Sequence, residues 1–204
     1  MKHLKRGVLL AFEGIDGSGK STQAKLFCDW AEAQGWEVVR TREPTHGPWG
    51  RKIREARFTH RLSPEDELAA FLEDRREHVA NLIRPALARG AIVVVDRYYY
   101  STVAYQGARG LDPKALLATN RAFAPKPDLV LLVDADPKVA LERIHARGEG
   151  QDLFENLDAL TKVRSIFLSL TAEPHVALID GARTPEVVFD EVKARIAPVL
   201  DAAK

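Results

Sequence analysis

The sequence predicts an α/β fold in which five parallel strands form one sheet between layers of helices. Short apolar segments rich in β-branched residues alternate along the chain with longer helical patterns, which is typical of βαβ units. Residues 92–95 and 129–133 are uninterrupted apolar runs, as expected of strands covered on both faces. The predicted strands are residues 8–13, 37–41, 91–96, 129–134 and 176–180.

Helical patterns fill the intervals between these strands. The longest one starts with Ser63 as its N-cap and Pro64 in its first turn, and we expect Pro85 to kink or break it. The Gly-containing segment 147–152 joins two helical patterns and is interpreted as a mobile loop or lid. The predicted helices are residues 20–34, 63–89, 113–123, 137–147, 156–172 and 185–202.

Composition excludes several classes of protein. The 204 residues include 30 Lys and Arg and 29 Asp and Glu, so the net charge of +1 gives no overall field for nucleic acid or an anionic membrane. No apolar run approaches the roughly 18 residues of a membrane span. Cys28 is the only cysteine and is expected in the core, and the six histidines lack metal-ligand spacing. We therefore expect a reduced, cytoplasmic compartment.

A phosphate-binding loop follows the first predicted strand and opens the first predicted helix. Residues 14–21 read GIDGSGKS and match G-x-x-x-x-G-K-[ST] in full, in the structural context that this motif requires. The glycines let backbone N–H groups surround phosphate oxygens at a helix N-terminus. Lys20 is expected to contact the β- and γ-phosphates of ATP and Ser21 to bind Mg²⁺. The residues expected to bind ATP are Gly14, Ile15, Asp16, Gly17, Ser18, Gly19, Lys20, Ser21 and Thr22.

An acidic and a basic residue end the third predicted strand. Asp96 closes an apolar run and Arg97 follows it, at the edge of a parallel sheet where ligands bind. Asp96 is expected to hold Mg²⁺ directly or through water, and Arg97 to bind a phosphate. The alternative for Asp96 is a surface ion pair.

Further motifs are spread over nearly the whole chain. They are residues 12–23 (FEGIDGSGKSTQ), 41–44 (TREP), 62–65 (LSPE), 71–75 (FLEDR), 83–87 (IRPAL), 96–98 (DRY), 101–107 (STVAYQG) and 127–129 (PDL). The most specific is the DRY triplet followed by STVAYQG. Together these motifs resemble those of the thymidylate kinase family. The resemblance implies the three-layer P-loop kinase fold as one domain, residues 1–204, with a small lid at about residues 143–155.

The resemblance also implies an activity, transfer of a phosphoryl group from ATP to dTMP, and roles for individual residues. Asp16 would contact the acceptor 3′-hydroxyl, and Arg97 and Arg42 its 5′-phosphate. Phe71 would stack on thymine, unless it is a core residue of an amphipathic helix.

Four more residues complete this expected acceptor site. Arg75, at i+4 from Phe71, shares its helix face and would bind the base edge. Thr102 and Gln106, also i+4 apart, would read the amide edge of the base, and Tyr105 would favour deoxynucleotides. A homodimer is implied as well.

The sequence departs from the family pattern at four places. Thr45-His46 follow the TREP segment instead of Gly-Gly, and Tyr100 replaces a common acidic residue. Gly17 occupies a position that supplies a catalytic arginine in some members, and Leu153 replaces a lid arginine. Arg143 and Arg147 are therefore the expected catalytic arginines of the lid, with Arg164 as a substitute. The alternative for Arg143 and Arg147 is that they only complement the helix C-terminus.

Two other functions stay open at this point. One is a kinase for another deoxynucleotide or a nucleoside. Phe71, Arg75, Thr102 and Gln106 favour a pyrimidine base, but Thr45-His46 leave room for a different acceptor. A P-loop ATPase or regulatory switch would need a water-positioning residue and no base pocket. Small-molecule substrates, rather than nucleic acid or a membrane, are expected in each case.

Overall fold

The computed structural model describes residues 1–56, 62–146 and 157–204. Within these ranges five parallel strands form one sheet in the order β2-β3-β1-β4-β5, which confirms the predicted fold class. The chain passes from β1 to β2 on one side of β1, and from β3 to β4 on the other side, so a crevice opens at the carboxyl end of β1. The strands are β1 (Val8–Glu13), β2 (Val38–Arg42), β3 (Ile92–Asp96), β4 (Leu129–Asp134) and β5 (Val176–Asp180).

Helices cover both faces of the sheet. Two short ones, α2 and α5, are absent from the predicted set. The helices are α1 (Lys20–Ala33), α2 (Pro48–Ala56), α3 (Pro64–His78), α4 (Arg84–Ala88), α5 (Tyr99–Ala108), α6 (Pro113–Arg121), α7 (Pro137–Ala146), α8 (Leu157–Ser169) and α9 (Pro185–Asp201), with a 3₁₀ turn at Leu170–Ala172.

Successive residues of each central strand point to opposite faces of the sheet and belong to two separate hydrophobic cores, which gives the fold its three layers. Leu10 and Val94 belong to a core that contains residues of α1 and α9. Leu9 and Val93 belong to a core on the other face, where Ile83 and residues of α5 and α8 pack. Because both faces of β1 and β3 are buried, these strands carry no polar alternation.

The long predicted helix is interrupted before Pro85, as expected. Residues Val79–Ile83 form a π-helical turn between α3 and α4, and the N–H of Arg84 donates to the carbonyl of Val79. Proline has no N–H and its ring crowds the carbonyl four residues earlier, so the regular α-helical ladder cannot continue there. At the start of α3, the Ser63 hydroxyl accepts the N–H of Asp66 at 3.0 Å, which confirms the predicted N-cap.

The strand register brings polar residues together at the carboxyl edge of the sheet. Asp96 of β3 lies beside Phe12 of β1 and beside Arg42 of β2. Asp134 of β4 pairs with Asp180 of β5. This edge faces the loop that follows β1, and it is where the candidate site forms.

Candidate active site

The loop between β1 and α1 has the backbone that its glycines predict. Gly14, Gly17 and Gly19 have φ of 140°, 80° and 98°, which residues with a Cβ rarely adopt. Lys20, the first residue of α1, is buried, and its Nζ donates to the carbonyl of Ile15 at 3.2 Å. Burial, and next the nearby charge of Arg97, lower the pKa of Lys20. The loop therefore presents a cation and a helix N-terminus to the same crevice.

Asp96 has the chemistry of a cation ligand at the end of β3. Its Oδ1 is buried and has no hydrogen-bond partner in the described part of the chain. Its negative charge acts on Lys20, so the two side chains share the crevice. Ser21 and Thr22 are in the first turn of α1, and the Ser21 side chain is exposed. A carboxylate oxygen without a partner at the end of β3, and a hydroxyl in the first turn of α1, are oxygen ligands of the kind that Mg²⁺ prefers.

Arg97 is held in a fixed position between the loop and α5. Its φ of 66° lies in the left-handed region, which is uncommon for any residue but glycine. Its guanidinium donates to the Ser101 hydroxyl at 3.0 Å and to the Tyr105 hydroxyl at 3.2 Å, and it forms an ion pair with Asp16. The Tyr105 hydroxyl also accepts the backbone N–H of Asp16 at 3.2 Å. Arg97 and Asp16 are thereby fixed to each other.

Glu13, the last residue of β1, holds the segment that carries Arg97 and Ser101 in place. It accepts the backbone N–H of Tyr98 at 2.7 Å and the Ser101 hydroxyl at 2.5 Å. Burial raises the pKa of Glu13 to about 7, and these hydrogen bonds offset part of that effect. Since Ser101 in turn binds Arg97, Glu13 positions the arginine through one intermediate side chain.

A cavity opens next to Arg97, between α3 and α5. Its walls are aromatic and polar, which is typical of a small-molecule site. The residues that line it are Glu43, Pro44, Glu67, Phe71, Arg75, Arg97, Tyr98, Ser101, Thr102, Tyr105 and Gln106. We call it the base cavity below.

Arg75 forms the floor of the base cavity and is only 1% exposed. Its Nε and Nη2 donate to one oxygen of Glu43 at 2.8 and 2.6 Å, and Nη2 also donates to the Thr102 hydroxyl at 3.0 Å. Nη1 donates to the Asn120 side chain. The other oxygen of Glu43 lies 2.8 Å from His78 Nδ1. Burial alone would raise the pKa of Glu43, but Arg75 and His78 hold it below its ordinary value.

A second cleft lies on the other side of the phosphate loop. Arg143 of α7 spans it, donating to the carbonyl of Gly181 at 3.1 Å and to that of Gly17 at 3.4 Å. Ser18 Oγ and Gln23 Oε1 are buried there without hydrogen-bond partners among the described residues. The cleft is lined by Gly17, Ser18, Gly19, Thr22, Gln23, Val133, Arg143, Ala146, Gly181, Arg183, Pro185 and Val188.

The predicted lid lies partly within the described residues. Arg147 and Leu153 lie outside the described residues. Arg164, the predicted substitute, uses its Nε and Nη2 in a two-pronged ion pair with Asp134 at the end of β4, both contacts being 2.7 Å. Of the two lid candidates within the described residues, Arg143 and Arg164, it is Arg143 that lies beside the phosphate loop.

Comparison with known proteins assigns the family. The family model of thymidylate kinases matches residues 12–192. The chain belongs to the thymidylate kinase family.

The relatives named thymidylate kinase are similar over nearly their full length. One from Akkermansia muciniphila is 50% identical over 96% of this chain and 92% of its own. One from Xanthomonas campestris pv. campestris is 48% identical over 95% of this chain and 85% of its own. One from Xylella fastidiosa is 46% identical over 95% of this chain and 88% of its own. The predicted resemblance to thymidylate kinases is thus confirmed.

Two departures from the thymidylate kinase pattern now have a physical account. A Cβ on Gly17 would lie 2.2 Å from the carbonyl oxygen of Ala140, so α7 packs too closely for an arginine in the loop. Thr45, after the TREP segment, is tied to α3, because its N–H and hydroxyl both donate to Asp74, at 2.8 and 2.6 Å. The exposed His46 follows it.

The tyrosine triplet is a third departure, and most of it lies in the core. Tyr98, Tyr99 and Tyr100 are 0 to 1% exposed, and of the three it is Tyr98 that lines the base cavity. The Tyr100 hydroxyl lies 2.6 Å from His175 Nε2. The bulk at position 100 therefore fills the interior beside β5 rather than the acceptor site.

The structure brings most of the predicted site residues together. Phe71, Arg75, Thr102, Tyr105 and Gln106 all line the base cavity with Arg97. Arg42 is exposed at the end of β2 and is not among the lining residues.

Sequence reasoning missed the carboxylates that support the site, Glu13, Glu43 and Glu67. Glu13 lies inside the FEGIDGSGKSTQ segment and Glu43 inside the TREP segment, which were usable signals. Glu67 lies in none of these segments.

Two features are absent from the part of the chain that the structure describes. No described helix combines the length and apolar character needed to cross a membrane. No group of three or more His, Cys, Asp or Glu side chains there has the arrangement of a metal site.

Proposed function

We propose that this protein transfers the γ-phosphoryl group of ATP to dTMP, giving dTDP and ADP. The observation that carries the proposal is the position of Arg97, which contacts Asp16 of the phosphate loop and also lines the base cavity. A phosphate bound by Arg97 would therefore lie between the donor loop and a pocket for a base. Membership of the thymidylate kinase family agrees with this assignment.

The donor side consists of the phosphate loop and the cleft beyond it. Backbone N–H groups of residues 14–22 and the N-terminus of α1 bind the ATP phosphates, and Lys20 neutralises charge on the transferred group. Ser21 and Asp96 would hold Mg²⁺, which when bound neutralises phosphate charge. Ser18, Gln23 and Arg143 face the remainder of the nucleotide in the second cleft.

The residues of the acceptor side contact the phosphate, the sugar and the base of a deoxynucleotide. Arg97, with Arg42 at the adjoining strand end, binds the 5′-phosphate, and Asp16 accepts the 3′-hydroxyl. Tyr105 packs on the sugar and disfavours a 2′-hydroxyl. Phe71 stacks on the base.

The base edge is read by residues on two helices. Arg75 of α3 and the α5 residues Thr102 and Gln106 face the polar edge of thymine. Because α3 and α5 form opposite walls of the cavity, the base is held between them.

Catalysis on this site is mainly positioning and charge neutralisation. An oxygen of the acceptor phosphate attacks the γ-phosphorus in line with the departing ADP oxygen, so no general base is required. Lys20, Arg97 and Arg143, with Arg147 from the lid, stabilise the charge that spreads over the transferred group. Closure of residues 143–155 would exclude water that otherwise hydrolyses ATP.

An acceptor panel tests this function. Purified protein is given ATP with dTMP, dUMP, dCMP, dAMP, dGMP or thymidine, and ADP formation is measured. Fastest turnover with dTMP supports the proposal. Faster turnover with another acceptor makes the protein a kinase for that compound, and ADP formation that no acceptor stimulates makes it an ATPase or switch. The homodimer and the cytoplasmic location stay predictions.

A further inference from the structure

The side-chain amide of Gln106 has a hydrogen-bond partner for its NH₂ group and none for its oxygen, although the residue is only 1% exposed. Its Nε2 donates to Oε2 of Glu67 at 2.7 Å. Its Oε1 is buried and has no hydrogen-bond partner in the described part of the chain, and the side chain lines the base cavity. A buried amide oxygen without a partner is costly, which indicates that a ligand group satisfies it.

Glu67 decides which end of the Gln106 amide points to the cavity. An ionised carboxylate only accepts hydrogen bonds, so the amide group facing it must be the NH₂. Glu67 is itself immobilised, because Arg109 forms an ion pair with the same oxygen and also donates to the carbonyl of Leu62 at 2.9 Å. The carbonyl oxygen of Gln106 is therefore left for the ligand.

The neighbouring group in the cavity has the opposite polarity. Thr102 Oγ1 accepts a hydrogen bond from Arg75 at 3.0 Å, so its own hydrogen is available for donation. Thr102 and Gln106, one turn apart on α5, thus offer a donor next to an acceptor. Thymine and uracil present the complement, the O4 acceptor next to the N3–H donor, whereas cytosine presents an amino donor next to the N3 acceptor.

We propose that Glu67 is a positioning residue that sets pyrimidine specificity by fixing the orientation of the Gln106 amide. The inference rests on the proposed function, because it assumes that the base of the acceptor binds in this cavity. Glu67 does not touch the base. Glu67 excludes the opposite orientation of the Gln106 amide, in which the NH₂ group would face the base and bind cytosine N3. It therefore disfavours dCMP, and it does not distinguish dTMP from dUMP, which differ only in the methyl group.

The test is Glu67→Gln, which keeps the shape of the side chain but adds a donor. The amide that this substitution introduces can accept from or donate to Gln106, so either orientation of the Gln106 amide is then satisfied. We expect the ratio of kcat/KM for dTMP to that for dCMP to fall by about 10- to 100-fold, the scale of one misplaced buried hydrogen bond. The ratio for dTMP to dUMP stays unchanged, because these two bases share O4 and N3–H.

A matched control is Glu73→Gln, on the exposed side of the same helix, where Glu73 lies 3.4 Å from Arg76. It leaves both ratios at the wild-type value. A merely structural role of Glu67 would lower kcat/KM for dTMP, dUMP and dCMP by the same factor, and that result overturns the proposal, as does an unchanged dTMP-to-dCMP ratio.

Failure of the inference is distinguishable from failure of the function. If wild-type protein phosphorylates none of the pyrimidine deoxynucleotides, the proposed function is wrong and the inference falls with it. If wild type prefers dTMP and Glu67→Gln keeps that preference, only the inference is wrong. Should Glu67→Gln not fold, the same ratio is measured on Glu67→Leu, which frees the Gln106 amide from its carboxylate partner, and the same fall is expected.

Discussion

Asp16 in the phosphate loop forms an ion pair with Arg97, the residue that follows β3. The same oxygen of Asp16 lies 3.4 Å from Lys20 Nζ. One carboxylate thus lies between Lys20, which we propose faces the donor phosphates, and Arg97, which we propose binds the acceptor phosphate. The two positive side chains can lie close together because Asp16 lies between them. In the proposed function, the same contact sets the spacing of the two phosphate subsites.

Removal of either cation should abolish most of the activity while the protein stays folded. We expect Lys20→Ala and Arg97→Ala each to lower kcat/KM by about 10²–10³-fold, the usual cost of losing one group that stabilises the transition state. Steady-state kinetics with ATP and dTMP measure this, and circular dichroism confirms folding. Arg195→Ala, a change at an exposed arginine of α9, serves as control and keeps wild-type kinetics. Near-normal turnover of folded Arg97→Ala would refute its assignment to the acceptor phosphate.

Phe71 should contribute to dTMP binding and not to ATP binding. Base–aromatic stacking is worth roughly 1–3 kcal/mol, so Phe71→Ala should weaken dTMP binding about 5- to 150-fold. Isothermal titration with each nucleotide checks this, and the ATP affinity of the same variant is the internal control. Equal dTMP affinity in variant and wild type would make Phe71 a packing residue of α3.

Arg143 should act on the transition state as well as tying two loops together. Arg143→Ala removes a forked guanidinium beside the phosphate loop, and we expect kcat to fall by about 10²-fold, at least as much as kcat/KM. The melting temperature should change little, and Lys138→Ala, an exposed cation of the same helix, should change neither quantity. If Arg143→Ala lowers the melting temperature but leaves kcat unchanged, Arg143 has only a structural role, through its hydrogen bonds to the carbonyls of Gly17 and Gly181.

Glu13 should make stability fall as the pH rises from about 5 to about 8. Its pKa is raised from 4.5 to about 7, so between these values the folded protein binds more protons than the unfolded chain. Glu13→Gln cannot titrate. The free energy of unfolding of wild type minus that of Glu13→Gln should therefore decrease by about 2–3 kcal/mol between pH 5 and pH 8. Urea unfolding at both pH values measures it, and a constant or rising difference would mean that Glu13 is ionised at low cost.

The sheet and most long helices could be predicted because their patterns are local. An apolar run such as residues 92–95 indicates a buried strand once helical segments flank it. The helix α5 was missed because Tyr99, Tyr100 and Val103 are aromatic or β-branched and favour strands. Burial of these side chains against the sheet decides the outcome, and no local pattern carries that information.

In the site, too, the features set by local spacing could be predicted from the sequence, and those set by long-range contacts could not. Phe71 and Arg75 share a helix face and their pairing was predictable from a spacing of four. The bonds of Arg75 to Glu43 and to Asn120 span 32 and 45 residues, so only the folded chain brings these partners together. The carboxylates that orient the site residues were missed for this reason, whereas Phe71, Arg75, Thr102, Tyr105 and Gln106, which line the base cavity, could be singled out from the sequence.

The most direct test of the account follows the transferred group itself. Wild-type protein is incubated with ATP labelled at the γ-phosphate and with dTMP, and the labelled products are separated by chromatography. The account predicts that the label appears in the β-phosphate of dTDP and that ADP forms in equal amount. Label in inorganic phosphate, with dTMP unchanged, would contradict it.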